Sequence, residues 1–255
     1  MRLLPMNRSS PTCCGWWLAS CLGACAAGQA PVTPPAVPPS TAPSTAPSTT
    51  PAPAPAQQRP RPKDAAALFA TMAAMTGLEA RFEEEKHIAL LAAPLRSKGR
   101  LYFQRDAGAG SGHLARIVDE PEPSSVLITP KELRLQNRDG TEVIDLRRSD
   151  KVRTFVVSLV HVFAGDQTNL AKAYDVAYEL DAASTTAWTL VLTPRDKPLN
   201  QMLKSLRLYG EGEAVVRIEL HEPNGDRTVT RVVSADPARR FDAAEQKKLF
   251  GIGDG

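Results

Sequence analysis

Beyond residue 25 this chain of 255 residues contains no cysteine; all four, Cys13, Cys14, Cys21 and Cys25, lie near its start. Whatever folds after them is held by no disulfide and uses no thiolate as metal ligand or nucleophile. Histidine is scarce as well. His87, His113, His161 and His221 have no partner at a recognised metal-ligand spacing, and His-Glu-x-x-His is missing. The Gly-rich stretch Asp106 to Gly112 lacks both the Lys-Ser/Thr of a phosphate-cradling loop and the Gly-x-Ser-x-Gly of a nucleophile elbow, so it reads as a flexible connection. The formal charge is only +3 and no basic stripe interleaves with aromatics, which argues against a nucleic-acid partner. His221-Glu222 beside Asp226 could in principle serve a nucleophile, but these residues flank a hairpin turn where polar side chains are expected anyway. The sequence specifies no catalytic residue, no metal site and no cofactor.

An apolar run long enough for a permanent membrane span is also missing. Cys13 to Ala24 is short and follows Arg2 and Arg8, so residues 1–24 read as an export signal. Leu18-Ala19-Ser20-Cys21 and Leu22-Gly23-Ala24-Cys25 have the form of a bacterial lipoprotein signal, which implies cleavage before the cysteine and its acylation. Cys25 is the better lipid anchor because it leaves the longer apolar segment. Ordinary cleavage near Ala24-Cys25-Ala26, releasing an unanchored protein, is the alternative.

Proline, alanine, serine and threonine are plentiful, from Gln29 to Pro62, with the near-repeat Ser40-Thr41-Ala42-Pro43 / Ser44-Thr45-Ala46-Pro47. Such a segment has little apolar surface to bury and forms a semi-stiff linker over residues 25–62. At ~3.1 Å per residue it could reach on the order of 100 Å. A single domain remains, residues 63–255, large enough for a substantial core.

That domain is organised around Trp188 to Val233. Leu203 to Tyr209 and Ala214 to Leu220 alternate apolar and polar residues, the period of a strand with one dry and one wet face. Pro223-Asn224-Gly225-Asp226 is a strong hairpin turn. Upstream, Asp64 caps a helix through Ala65 to Met75, ended by Gly77. Leu78 to Leu91 reads as a long strand with Leu78, Ala80 and Phe82 on one side and Arg81, Glu83 and Glu85 on the other. Within it, Glu83-Glu84-Glu85 is read as a solvated edge, not a catalytic pair. Further strands follow at Gly99 to Arg105, His113 to Val118, Ser124 to Thr129, Glu132 to Gln136, Thr141 to Leu146, Tyr174 to Leu180 and Trp188 to Thr193. Phe155, Val156, Leu159, Val160 and Phe163 recur at helical spacing in Lys151 to Ala164, with Gly165 as the stop. A helical turn at Asn169 to Ala173 and a tail helix at Ala243 to Leu249 complete an α+β chain of about eleven antiparallel strands.

Several local strings, in order, resemble the outer-membrane lipoprotein carriers, LolA and its receptor relative LolB. They are Leu78-Glu79-Ala80-Arg81-Phe82-Glu83-Glu84-Glu85-Lys86, Pro94-Leu95-Arg96-Ser97-Lys98-Gly99-Arg100-Leu101-Tyr102-Phe103-Gln104-Arg105, Ala164-Gly165-Asp166, Trp188 to Pro194 and Asn224-Gly225-Asp226-Arg227-Thr228. The resemblance implies a half-open antiparallel β-barrel covered by helices that form a lid, with an apolar cavity between. It implies acylated proteins or other lipids as cargo, an inner-membrane transporter as donor, no cofactor and no covalent step. The place would be the bacterial periplasm, with the lipid anchor in a membrane, the outer one by preference.

By the same resemblance Arg105 holds the lid shut by bonding helix carbonyls. Phe82, Leu101, Phe103, Leu190, Leu192, Leu206 and Leu208 would line the cavity from the sheet, and Leu68, Met72, Phe155, Leu159 and Phe163 from the lid. Two departures stand out. The loop Asp106 to Gly112 lacks the receptor's bulky apolar residue, and Arg116 stands near the position of an aromatic in the carrier. Rival readings are a carrier of another acylated or polyene lipid, and a structural envelope lipoprotein whose interior is filled by its own side chains.

Overall fold

A computed structural model describes residues 60–106 and 111–252. The leader, Cys25, most of the linker and the centre of the Gly-rich loop lie outside them. Eleven antiparallel strands form one open sheet in the order β6-β5-β4-β3-β2-β1-β11-β10-β9-β8-β7. In chain order they are β1 (Gly77–His87), β2 (Leu95–Arg105), β3 (Gly112–Glu120), β4 (Ser124–Ile128), β5 (Glu132–Asn137), β6 (Gly140–Asp145), β7 (Tyr174–Leu180), β8 (Ala187–Pro194), β9 (Ser205–Glu211), β10 (Ala214–His221) and β11 (Arg227–Asp236). Two meanders, β1 to β6 and β7 to β11, are joined where β1 pairs with β11. The edges β6 and β7 are not paired with each other, so the barrel stays open.

That order decides where the helices go. The chain must travel from one edge strand, β6, to the other, β7, and its route carries α2 (Asp150–Ala164) and α3 (Gln167–Ala173). α2 is strongly amphipathic in sequence and buries Phe155, Val156, Leu159 and Val160 on the sheet's dry face. Gly165 stops it in the left-handed conformation, φ 63°, and its N–H bonds back to the last turn. α1 (Ala65–Ala74) is capped by Asp64, whose side chain accepts from the Ala67 amide at 2.8 Å. Gly77 does not end this helix; Met75 is its cap and Gly77 opens β1, where a Cβ would strike the Arg239 carbonyl. α4 (Ala243–Phe250) lies on the opposite face of the sheet, where Phe250 and Phe241 pack with Tyr102 and Ala115.

Some boundaries differ from the sequence reading. β1 ends at His87, not Leu91; the following turn leaves Leu90 94% exposed, and β2 begins earlier, at Leu95. The folded part also starts before Lys63. Arg61 Nη1 lies 3.0, 2.6 and 2.8 Å from the carbonyls of Asp181, Ser184 and Ala187. Tyr178 donates to the Pro62 carbonyl at 2.6 Å. The end of the linker is thus seated on the β7–β8 turn.

Candidate functional site

The inner faces of β9, β10, β11 and β1, with the Leu101 part of β2, stand away from the helices. A cavity of about 740 Å³ separates them from α1 and α2. Its walls are mostly apolar: Leu78, Ala80, Leu206, Leu208 and Ile218 from the sheet, Met72, Met75 and Leu159 from the helices. Ala74, Glu213, Ala235 and Pro237 are exposed residues at its rim.

Of the twelve residues expected to line such a space, Met72, Phe82, Leu101, Leu159, Phe163, Leu206 and Leu208 do so. Leu68, Phe103, Phe155, Leu190 and Leu192 do not; they are buried in the packed core between sheet and helices. The reason is that the helices are seated on part of the sheet only. α2 packs on β3, and α1 and α3 on β7, so apolar residues there are filled against, while those over β9 to β1 face open space. Periodicity marks a dry face but cannot say what touches it.

Arg105, at the end of β2, sits at the meeting point of the two lid helices. Its Nε donates to the Met75 carbonyl at 2.7 Å, and Nη2 to the carbonyls of Met72 at 3.1 Å and Ala164 at 2.9 Å. These belong to the last turn and cap of α1 and the last residue of α2, where the helix dipole favours a cation and carbonyls are short of partners, the Met72 carbonyl being shared with the Met75 N–H. Burial lowers the Arg105 pKa from the ordinary arginine value, yet a guanidinium stays charged.

Two residues missed by the sequence reading lie at the cavity's far end. Glu84 is 3% exposed and is not on a solvated edge; it accepts from Arg116 Nη2 at 2.7 Å, and Arg116 is 6% exposed. Strand alternation would have found Glu84, because it shares parity with Ala80 and Phe82. Arg116 pairs across to Leu101, which also faces inward. In the His221 cluster, His221 Nε2 lies 3.2 Å from Glu219, and Glu222 pairs with Lys86 at 3.5 Å instead of with His221. Among the described residues no group of three metal-ligating side chains occurs, and no helix is long and apolar enough to cross a membrane.

Residues 57–250 match the family described as outer membrane lipoprotein carrier protein LolA-like. The chain belongs to this family. No curated protein matches the LolA-like chain. Solved structures similar to it include a Pseudomonas aeruginosa MucA/MucB complex, at 15% identity and a TM-score of 0.39, covering 71% of this chain and 62% of the other. A LolA superfamily protein from Nitrosomonas europaea matches at 10% identity and a TM-score of 0.39, over 71% of this chain and 96% of that one. The Mycobacterium tuberculosis lipoprotein LppX matches at 8% identity and a TM-score of 0.37, over 69% and 98%. The chain thus spans less than two thirds of the matched chain in the MucA/MucB complex.

Proposed function

We propose that this LolA-like protein is a non-enzymatic cell-envelope carrier or acceptor of lipoproteins, holding their acyl chains in the cavity beneath α1 and α2. The observation that carries this reading is the open volume of about 740 Å³ between the dry sheet face and the helices. Protein interiors are otherwise close-packed, and ligand sites fall in a range of roughly 300–1,000 Å³. An interior filled by its own side chains is hard to reconcile with such a space.

Burying each CH₂ of an acyl chain is worth ~0.8 kcal/mol. A carrier therefore needs an opposing term if it is to release its cargo. The Arg105 bonds to Met72, Met75 and Ala164 can supply it: they hold the helices closed over the empty cavity and are given up when a chain enters. In this reading residues 1–24 are the signal, Cys25 is the lipid anchor, and residues 25–62 are a tether that ends where Arg61 is seated. The protein works in the periplasm from a membrane, the outer one by preference, and receives cargo from an inner-membrane transporter. A second reading, a carrier of another acylated or polyene lipid, is favoured by one feature: the paired Arg116 and Glu84 make part of the cavity wall polar.

Organic extraction and mass spectrometry of the purified protein, with fluorescent fatty-acid binding, test the proposal. A co-purifying lipid or saturable binding is expected; neither one appearing would overturn it in favour of a structural role. Radioactive palmitate labelling of Cys25→Ala and Cys21→Ala tests the anchor, with label lost in the former alone.

A further inference from the structure

The cavity is not apolar throughout. Glu84 lies six positions along β1 from Leu78, about 20 Å at ~3.3 Å per residue. At that inner end the wall carries Glu84, Arg116, Thr228 and Thr230. Glu84 and Thr230 are paired: Arg116 Nη2 donates to Glu84 at 2.7 Å, Thr230 Oγ1 at 2.9 Å and Ser97 Oγ at 3.4 Å. Arg116 and Thr228 are less well met. Arg116 makes this one hydrogen bond among the described residues and lies over the Phe82 ring at 4.7 Å, leaving further N–H donors free. Thr228 is 1% exposed, lines the cavity, and its Oγ1 has no hydrogen-bond partner. Leaving such a hydroxyl unpaired is costly.

The charges at this end cancel. Glu84 neutralises Arg116, and Glu222 neutralises the buried Lys86, which pairs across β1–β11 with Thr228. The pole offers hydrogen-bond donors without net charge. An ionised headgroup there would bury an uncompensated charge, and a bare methyl end would leave the donors unmet. We infer that the inner end of the cavity is a subsite for a lipid whose buried terminus bears a neutral hydrogen-bond-accepting oxygen, a hydroxyl or an ester carbonyl, received by Arg116 and Thr228. This rests on the carrier reading above and narrows its cargo.

The test compares hexadecane, hexadecanol, methyl hexadecanoate and hexadecanoate as displacers of a fluorescent acyl probe from the full chain. Each ligand is judged by its change between wild type and variant, so that its solubility cancels. Thr228→Val keeps the side chain's shape and should weaken hexadecanol and the ester about tenfold, the worth of one buried hydrogen bond, while leaving hexadecane unchanged. Glu84→Leu with Arg116→Met removes both charges together, so no buried charge is stranded, and should cause the same selective loss. Hexadecanoate should not respond to Thr228→Val, its carboxylate staying at the rim. Equal effects on hexadecane and hexadecanol, as when water alone fills the pole, would overturn the subsite. A tenfold loss confined to hexadecanoate would overturn its neutral character. If neither probe nor ligand enters the wild type, the carrier reading falls with it.

Discussion

Gly165 meets Phe69 where the two lid helices touch, and there is no room between them for a side chain. A Cβ on Gly165 would collide with the Phe69 carbonyl oxygen and with the Ala73 amide of α1. The same glycine holds φ at 63°, a region that costs other L-residues roughly 1–2 kcal/mol. Both the end of α2 and its seat on α1 depend on one missing methyl group.

Gly165→Ala should therefore destabilise the domain by about 2–3 kcal/mol, combining backbone strain and the collision. Gly225→Ala is the control, since its φ is 93° but nothing lies within 4 Å of its Cβ position; that variant should lose only the backbone part, about 1–2 kcal/mol. Urea unfolding midpoints at unchanged slope measure the difference. Equal losses would show that the helices yield freely at this contact.

Arg105→Leu removes the three bonds to the helix ends. A loss of about 2 kcal/mol, or roughly 4–8 °C in Tm, is expected. Acyl cargo should bind more tightly and leave more slowly, because closing the empty lid no longer competes. Stopped-flow release of a fluorescent fatty acid reads this directly. Unchanged affinity and release would reduce Arg105 to a structural residue.

The Glu84–Arg116 pair predicts strong coupling. Arg116→Met alone strands a buried carboxylate and should cost about 3–5 kcal/mol. Adding Glu84→Leu should recover most of that loss, a non-additivity of contacting residues that a double-mutant cycle measures. Additive losses would mean that the two side chains do not share one buried environment.

Tyr174 sets a limit at alkaline pH. Its hydroxyl lies 2.7 Å from Ser158 Oγ, which itself donates to the Phe155 carbonyl at 2.6 Å, so the tyrosine is left to donate. Burial raises its pKa from 10.0 to about 12. The folded state thus holds this proton longer than the unfolded chain. The stabilisation is complete below the unfolded value and is lost as pH rises through the window from about 10 to about 12, on the order of 2–3 kcal/mol. Tyr174→Phe should flatten this part of the stability–pH curve, followed by denaturant unfolding alongside tyrosinate absorbance. An unchanged curve would assign the alkaline loss to other groups.

Much of the fold was legible because strands and helices announce themselves locally. The alternation in Leu206, Leu208 and Leu220, the Asn224-Gly225 turn, the Asp64 cap and the helical spacing of Phe155, Leu159 and Phe163 are near-neighbour patterns, and each element forms close to where they place it. Gly77 was misread because a glycine can end a helix or admit a crowded backbone, and only the Arg239 carbonyl across the fold decides which. Glu84 was misread because three adjacent carboxylates look solvated by composition, although strand parity turns the middle one inward. For Arg61 the signal was weaker still: its partners lie 120 and more positions away, on the β7–β8 turn.

What the sequence alone determined is the set of elements, the one dry face of the sheet, and the scarcity of thiol, imidazole and phosphate-binding chemistry. What the tertiary structure decided is which part of that dry face stays uncovered. α1 and α2 rest on both flanks of the sheet and leave the middle open. An apolar residue against a helix and one against a void obey the same period, since period records only which side of a strand avoids water. Where the helices come to rest depends on contacts such as Gly165 with Phe69 and Arg105 with Ala164, between residues far apart in the chain and brought together only when the whole sheet has formed.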